Sequence, residues 1–457
     1  MSQTTAPTAK KRGVFAWALW DWGTQPYYTV VTTFVFAVYL TGSAFAGDGD
    51  PNWPSRAWAI ATIVGSVVIA VLAPVLGQSG DRTGHTVRDL RFMTWAIAGI
   101  TAALYFVAPD PAYLLLGLAL FTLGTIIGEI ASVNYNALID RVSDEKNFGK
   151  VSGFGWGMGY IGGILVLLVI LVVFILPEQA PFGIETSDMR VRAAMVLCGV
   201  WTLIFTIPIF VRVKDRAPLA AAPRVGVVES YKQVFATIRR LWGTQRHTVY
   251  FLIASAVYRD GLAGVFSFGA IIAATSYGFT TTEIIYFGAA ANLIAGLVTM
   301  AFGLLDDKIG PKIVILICLG TLVVSELVIF FAHQPGFALH DGDAGYDAAV
   351  AGQGHLLFWV VGLVASSVCG PAQAAGRSFL ARNIPEGHSG EIFGLYATTG
   401  RAVSFLSPLL VLITISIGSA VVGGQAAAQH WAAIGLALLL VVGAGLLLPV
   451  KERRSLD

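Results

Sequence analysis

Six ionisable side chains stand inside long apolar runs of this chain: Asp21, Glu129, Asp260, Arg259, Arg377 and Arg401. A charge in hydrocarbon costs several kcal/mol unless it is paired or faces water, so each is a candidate for holding a proton, a coupling ion or a polar group of a solute. Trp17 precedes Asp21 by four positions, Gln25 follows by four and Tyr28 by three more, spacings that place all four on one helical face. Aromatic walls around a carboxylate either hold an organic cation by cation–π contact or exclude water, so that the acid exchanges a proton near neutrality. Salt bridging is a second reading of the same residues: Asp21 or Asp260 with Arg259 or Arg377, and Glu129 with Arg401, locking helices together. Arg401 is equally placed to meet an anionic substrate group, and Arg377, near a helix end, is able to snorkel. Three acids balance three bases. That suits an amphoteric solute such as an amino acid, and it suits mutual pairing as well.

The elements that must position these residues follow from composition. The 457-residue chain is 56% hydrophobic and 12% charged, with a mean hydropathy of +0.73, which makes the lipid bilayer its solvent. A net charge of +2 argues against nucleic acid as partner. Cys198, Cys318 and Cys369 each sit in a different apolar run and read as small buried hydrophobes. His85, His247, His333, His340, His355, His388 and His430 are dispersed, so no metal site is expected, and no phosphate-binding Gly-x-x-x-x-Gly-Lys-Ser/Thr loop is present. No cofactor is expected. The polar start MSQTTAPTAKKRG meets an apolar segment without a small-residue cleavage site, and Lys10, Lys11 and Arg12 hold that end in the cytoplasm.

Twelve segments have membrane-spanning length, at about 14–41, 56–76, 91–108, 112–139, 149–176, 191–211, 248–275, 282–305, 311–332, 355–380, 390–418 and 430–450. Arg82, Arg88, Arg141, Lys146, Lys150, Lys308, Lys312, Arg382, Lys451, Arg453 and Arg454 fall in one set of connections and the tail. The other set holds chiefly Arg56, Arg190 and Arg192, beside Asp48, Asp50, Asp110, Asp341, Asp343 and Asp347. The bias places both termini in the cytoplasm of a cell-membrane protein. The expected fold is therefore all-α and integral to the membrane, with six helices in 1–211, a basic linker at 212–247, and six helices in 248–457. In the linker, Val227, Tyr231, Val234, Phe235, Ile238, Leu241 and Trp242 follow a helical period, the pattern of an amphipathic helix on the inner membrane surface.

Between the second and third spans lies GQSGDRTGHTVR, and between the eighth and ninth GLLDDKIGPK. Both keep Gly-x-x-x-Asp-(Arg/Lys)-x-Gly: Gly77, Asp81, Arg82 and Gly84 in one, Gly303, Asp307, Lys308 and Gly310 in the other. The copies lie 226 positions apart, near half the chain, which marks two homologous halves. The glycines permit tight reversal and close helix approach, and the aspartate is able to cap a helix N-terminus. The pattern resembles the duplicated loop of major facilitator superfamily (MFS) transporters. WALWDWGTQPYYTVVTTFVFAVYL at 17–40, AVYRDGLAGV at 256–265, GKVSGFGWGMGYIGG at 149–163 and GEIFGLYATTGR at 390–401 are similar to the Atg22-like, or UMF1, branch.

That resemblance implies two pseudo-symmetric six-helix bundles, a central site lined by helices one, four, seven and ten, and alternating access. It puts Asp21, Glu129, Arg259, Asp260 and Arg377 on those helices, with Asp21 and Asp260 at matching depths. It also implies a latch role for the loop aspartates, although His85 and Thr86 depart from the usual basic pair. Gly155, Gly159 and Gly163 of helix five form a small-residue stripe, but the Gly-Pro of drug/proton antiporters is absent and Tyr160 stands there. The function implied is monomeric, secondary active transport of a small solute, with a proton or other coupling ion. A lipid or amphiphile exporter and a non-transporting receptor or scaffold with the same fold are the rival readings.

Overall fold

The computed structural model describes residues 7–47, 50–177, 184, 186–215, 227–332, 348–384, 388–422 and 428–451. Asp48, Asp341, Asp343, Asp347, His333, His340, Arg453, Arg454 and linker positions 216–226 lie outside the described residues. So do the side chains of Lys10, Lys11, Arg12, Asp81 and Val227.

Helices account for the described chain: α1 (Pro7–Gln25), α2 (Phe36–Leu40), α3 (Trp53–Thr83), α4 (Thr86–Ala103), α5 (Leu114–Ala137), α6 (Ile139–Val142), α7 (Phe148–Ile170) and α8 (Ser187–Arg212). After the linker helix α9 (Val227–Thr244) come α10 (Arg246–Ser276), α11 (Thr281–Ile309), α12 (Pro311–Phe331), α13 (Ala348–Asn383), α14 (Ser389–Ala402), α15 (Leu406–Val422) and α16 (Ala432–Leu447). Ten helical runs among the described residues are long and apolar enough to cross a membrane. Two further segments complete the expected twelve: α1 with its continuation to α2, and α4, whose first turns carry Arg88, Asp89 and Arg91.

The chain divides into two compact units. One comprises Met1–Asp144, Met158–Ala236 and Ile384–Thr398, the other Glu145–Gly157, Thr237–Asn383 and Thr399–Asp457. Within the first, α1 packs on α8, α4 on α5 and α8, and α3 on α5. Within the second, α10 packs on α16, α12 on α13 and α16, and α11 on α13. These are the same pairings one half-chain on, so the loop repeat extends to the packing. Ile60, Ile63, Val67 and Val71 are exposed along α3, as a lipid-facing surface requires.

Two spans depart from the expected continuous helices, each beside a proline. After α1, residues Pro26–Phe34 are π-helical. Pro26 has no N–H to donate to the carbonyl of Trp22, and the Trp201 indole donates to that oxygen instead, at 3.4 Å. In the eleventh span the helix stops at Ala402 and restarts at Leu406, and Pro408, in the first turn of the new helix, has no donor for the carbonyl of Ser404. Pro74 inside α3 frees the carbonyls near Ala70. The Thr398 hydroxyl donates to Ala70 at 3.1 Å, and that of Tyr231 to Val71 at 2.7 Å.

Candidate functional site

In the first unit, Asp21 lies on α1, half-buried. The Tyr135 hydroxyl, from α5, donates to its Oδ2 at 3.3 Å. Tyr135 is held between two indoles, with ring centroids 4.5 Å from Trp17 and 4.3 Å from Trp20 and near-parallel planes. Both indoles are anchored in turn: Trp17 donates to the carbonyl of Tyr135 at 3.1 Å, and Trp20 to Thr94 Oγ1 at 2.9 Å. Trp17 is thus fully buried support for Tyr135 and contributes no open wall to a binding surface. Gln25 does share a surface with Asp21. A Cβ at Gly159 of α7 would fall 3.0 Å from Gln25 Nε2 and 3.4 Å from the Asp21 carboxylate, so the glycine lets α7 pack closely against both side chains. Tyr28 is half-buried, its ring edge-on to Tyr27 at 5.7 Å and its hydroxyl beside Gly128. Glu129, one residue on in α5, is also half-buried.

In the second unit, Asp260 and Arg259 are neighbours on α10 but serve different places. Asp260 is 7% exposed, and its Oδ2 accepts the backbone N–H of Ser407 at 2.6 Å. Ser407 lies in the first turn of α15, so Asp260 caps the N-terminus created by the break at 403–405. Arg259 lies over Gly400, where a Cβ would sit 3.1 Å from Nη1. Arg401, next in α14, is half-buried. Arg377, in α13, is 3% exposed. It donates from Nε to Ser152 Oγ at 2.9 Å and from Nη2 to the carbonyl of Ser152 at 2.7 Å, with its guanidinium 5.8 Å from the Trp156 ring centroid. It pins α7 to α13.

The repeated loops have parallel geometry. Gly84 and Gly310 cap α3 and α11 with φ of +73° and +92°, a region that favours glycine. Gly77 approaches the carbonyl of Gly390 so closely that no Cβ fits, and at Gly303 a Cβ would meet the carbonyl of Gly149 at 2.7 Å. Asp307 Oδ1 and Oδ2 accept the N–H groups of Gly149 and Lys150 at 2.8 and 2.9 Å, capping α7. Asp81 stands at the corresponding position of α3, Arg82 is half-buried and Lys308 is exposed.

Several residues here carried no separate signal in the sequence. Asp306 is 2% exposed and pairs with Arg382 at 3.0 Å, while Arg382 also reaches Asp307 at 3.0 Å. In the first unit Glu391, also 2% exposed, accepts from Gln78 at 3.2 Å and lies 3.2 Å from His388 Nδ1. The doublet Asp306-Asp307 and the place of Gln78 beside the repeat glycine Gly77 were the hints in the sequence.

The chain matches the family described as "Vacuole effluxer Atg22 like" over residues 140–457. It is similar to the MFS-type transporter YxiO of Bacillus subtilis (strain 168), at 27% identity over 447 residues, covering 97% of this chain and 95% of that one. Autophagy-related protein 22-2 of Aspergillus clavatus is 28% identical over 290 residues, 59% of this chain and 44% of the fungal protein. The chain thus spans under half the length of that relative. Among solved structures, the proton:xylose symporter XylE bound to 6-bromo-6-deoxy-D-glucose matches with a TM-score of 0.70 at 13% identity, covering 98% of this chain and 97% of that one. A bacterial homologue of the iron transporter ferroportin in its outward-facing state gives 0.67 at 14%, covering 96% and 98%. At such identities these structures establish the fold alone, which is that of the major facilitator superfamily.

Proposed function

Because the chain belongs to the Atg22-like family of MFS transporters, which are membrane proteins that bind small molecules and are not enzymes, we propose that it is a proton-coupled secondary transporter of an amphoteric metabolite. An amino acid or a close analogue is the favoured solute, moved by alternating access. The observation that carries this reading is the setting of Asp21: a half-buried carboxylate on an apolar helix, contacted by the Tyr135 hydroxyl and lying beside Gln25 and Gly159. An acid kept within an apolar span is placed to take up and release the coupled proton. Arg259 and Arg401 are the proposed partners of the solute's anionic group, and Glu129, Gln25 and Tyr28 complete the polar lining. Asp260 and Arg377 act in this reading through the helices they hold.

The halves 1–211 and 248–457, joined by linker 212–247, rock about the central site. Gly77, Asp81, Arg82 and Gly84, with Gly303, Asp307, Lys308 and Gly310, latch one state. The chain works as a monomer in the plasma membrane with both termini cytoplasmic, as its lysine and arginine distribution supports. The family description names an effluxer, and export is the proposed direction. In proteoliposomes, Asp21→Asn abolishes pH-gradient-driven flux while leaving counterflow partly intact. Equal gradient response in variant and wild type removes proton coupling from Asp21.

A further inference from the structure

The linker helix α9 has three faces where a solvent-exposed tether needs two. Ser230, Val234, Thr237 and Leu241, at spacings of four, three and four, are buried. Phe235 and Trp242, two helical turns apart on the next face, are 70% and 54% exposed. Lys232, Arg239 and Arg240 follow on the far flank, all exposed, with Arg246 just beyond the helix end. Glu229 is the only acid in α9, and it lies 3.3 Å from Lys232. Leaving a phenylalanine and a tryptophan in water forfeits the burial free energy of two large side chains. Beside a row of cations, the surface that covers such a face is apolar at depth and anionic at its boundary.

The position of the helix agrees. Tyr231 donates to the carbonyl of Val71, a residue that is itself exposed on the lipid-facing side of α3, twelve positions before that helix ends. At 1.5 Å per residue, this anchors the first turns of α9 about 18 Å along the helix axis from the end of α3, beside the exposed apolar residues Val67 and Val71.

We propose that α9 is a docking helix for anionic phospholipid, inserting Phe235 and Trp242 among the acyl chains and placing Lys232, Arg239, Arg240 and Arg246 against the headgroup phosphates. The aromatic pair supplies depth, and the cations supply the preference for negative lipid, each worth about fivefold in binding near a charged surface. The assignment is independent of the solute and of proton coupling, so it stands or fails apart from the transport reading.

The test uses the full chain in phosphatidylcholine vesicles containing phosphatidylglycerol, with dibrominated acyl chains carried on one lipid or the other at equal mole fraction. The Trp242 signal is obtained by subtracting the emission of W242F. Trp242 quenching is expected to be at least about twofold greater when bromine is on phosphatidylglycerol, and the preference should fade at high salt. The variant K232Q/R239Q/R240Q should keep quenching but lose the preference, with an unchanged melting temperature showing that it is folded. Equal quenching by both lipids in the wild type, or none by either, overturns the proposal. So does a preference that survives charge removal.

Discussion

Gly303 of α11 lies against the carbonyl of Gly149 at the start of α7, close enough that a Cβ would meet it at 2.7 Å. Its repeat partner Gly77 meets the carbonyl of Gly390 in the same way. The contact extends along both helices, since a Cβ at Gly153 would fall 2.6 Å from the carbonyl of Thr299, and one at Gly394 2.6 Å from that of Ala73. Thr299 and Ala73 are themselves 226 positions apart. Backbone contact of this kind is replaceable only by separating the helices. Gly303→Val and Gly77→Val should each cost about 1–3 kcal/mol of the packed arrangement. The measurement is the melting temperature in detergent together with alkylation of a cysteine introduced at Thr299 for Gly303→Val and at Ala73 for Gly77→Val. Both variants should melt lower and label faster than the parent, whereas Gly99→Val, where a Cβ meets nothing within 4 Å, should do neither.

The carboxylate that follows serves the same junction. Asp307 takes two N–H groups at the head of α7 and also receives Arg382. Replacing an N-terminal cap by alanine typically costs about 0.5–2 kcal/mol. Asp307→Ala should fall at the upper end, because it also removes one arm of the Arg382 pair. Asp307→Asn retains one acceptor and should cost less. Thermal melts of the two variants decide the point: equal loss in both would mean that the N–H groups of Gly149 and Lys150 contribute nothing.

The architecture was readable because hydrocarbon imposes a length and a composition on every span, and because the Gly-x-x-x-Asp loop survives twice. Local chemistry within the spans was less visible. Tyr135 carries no charge and stands between Asn134 and Asn136, so nothing in sequence linked it to Asp21, 114 positions away. The loss of helix at 403–405 lay behind Pro408, a residue equally compatible with a continuing kinked span. Asp260 and Asp21 looked equivalent by repeat position. Their surroundings differ because Asp260 meets the helix N-terminus at Ser407, whereas Asp21 meets the Tyr135 hydroxyl. Trp17 had the spacing of a binding wall, yet its indole is spent on the carbonyl of Tyr135.

That difference between the two aspartates makes a separable prediction. Asp260→Asn keeps an acceptor for the Ser407 N–H and should retain pH-gradient-driven flux, with a loss of stability near 1 kcal/mol. Asp260→Ala strands a buried donor, at about 1–3 kcal/mol. Asp21→Asn should melt like the wild type and lose gradient-driven flux. If Asp260→Asn also abolishes the gradient response at full stability, then Asp260 carries a proton and is more than a cap.

Tyr135→Phe isolates the hydroxyl from the stacked ring. Trp17 and Trp20 keep their aromatic partner, so stability should change by no more than about 1 kcal/mol. Asp21 loses this one donor, and the pH profile of gradient-driven uptake should shift while counterflow persists. An unchanged profile would show that the 3.3 Å contact does not bear on the acid's proton exchange.

The free carbonyls around Pro74 allow a rescue experiment. The Thr398 hydroxyl serves Ala70, whose in-helix donor is missing because position 74 is proline. Thr398→Val removes that substitute and should cost about 1–3 kcal/mol for a carbonyl left without a partner. Pro74→Ala restores an N–H four residues after Ala70, so the same valine substitution should cost markedly less in that background. The double-mutant cycle is read from melting temperatures in detergent. A coupling energy near zero would mean that α3 satisfies Ala70 in some other way, and that Thr398 sits at the kink only to fill space. A coupling of about 1 kcal/mol or more would establish that the eleventh span supplies what proline removes from the second.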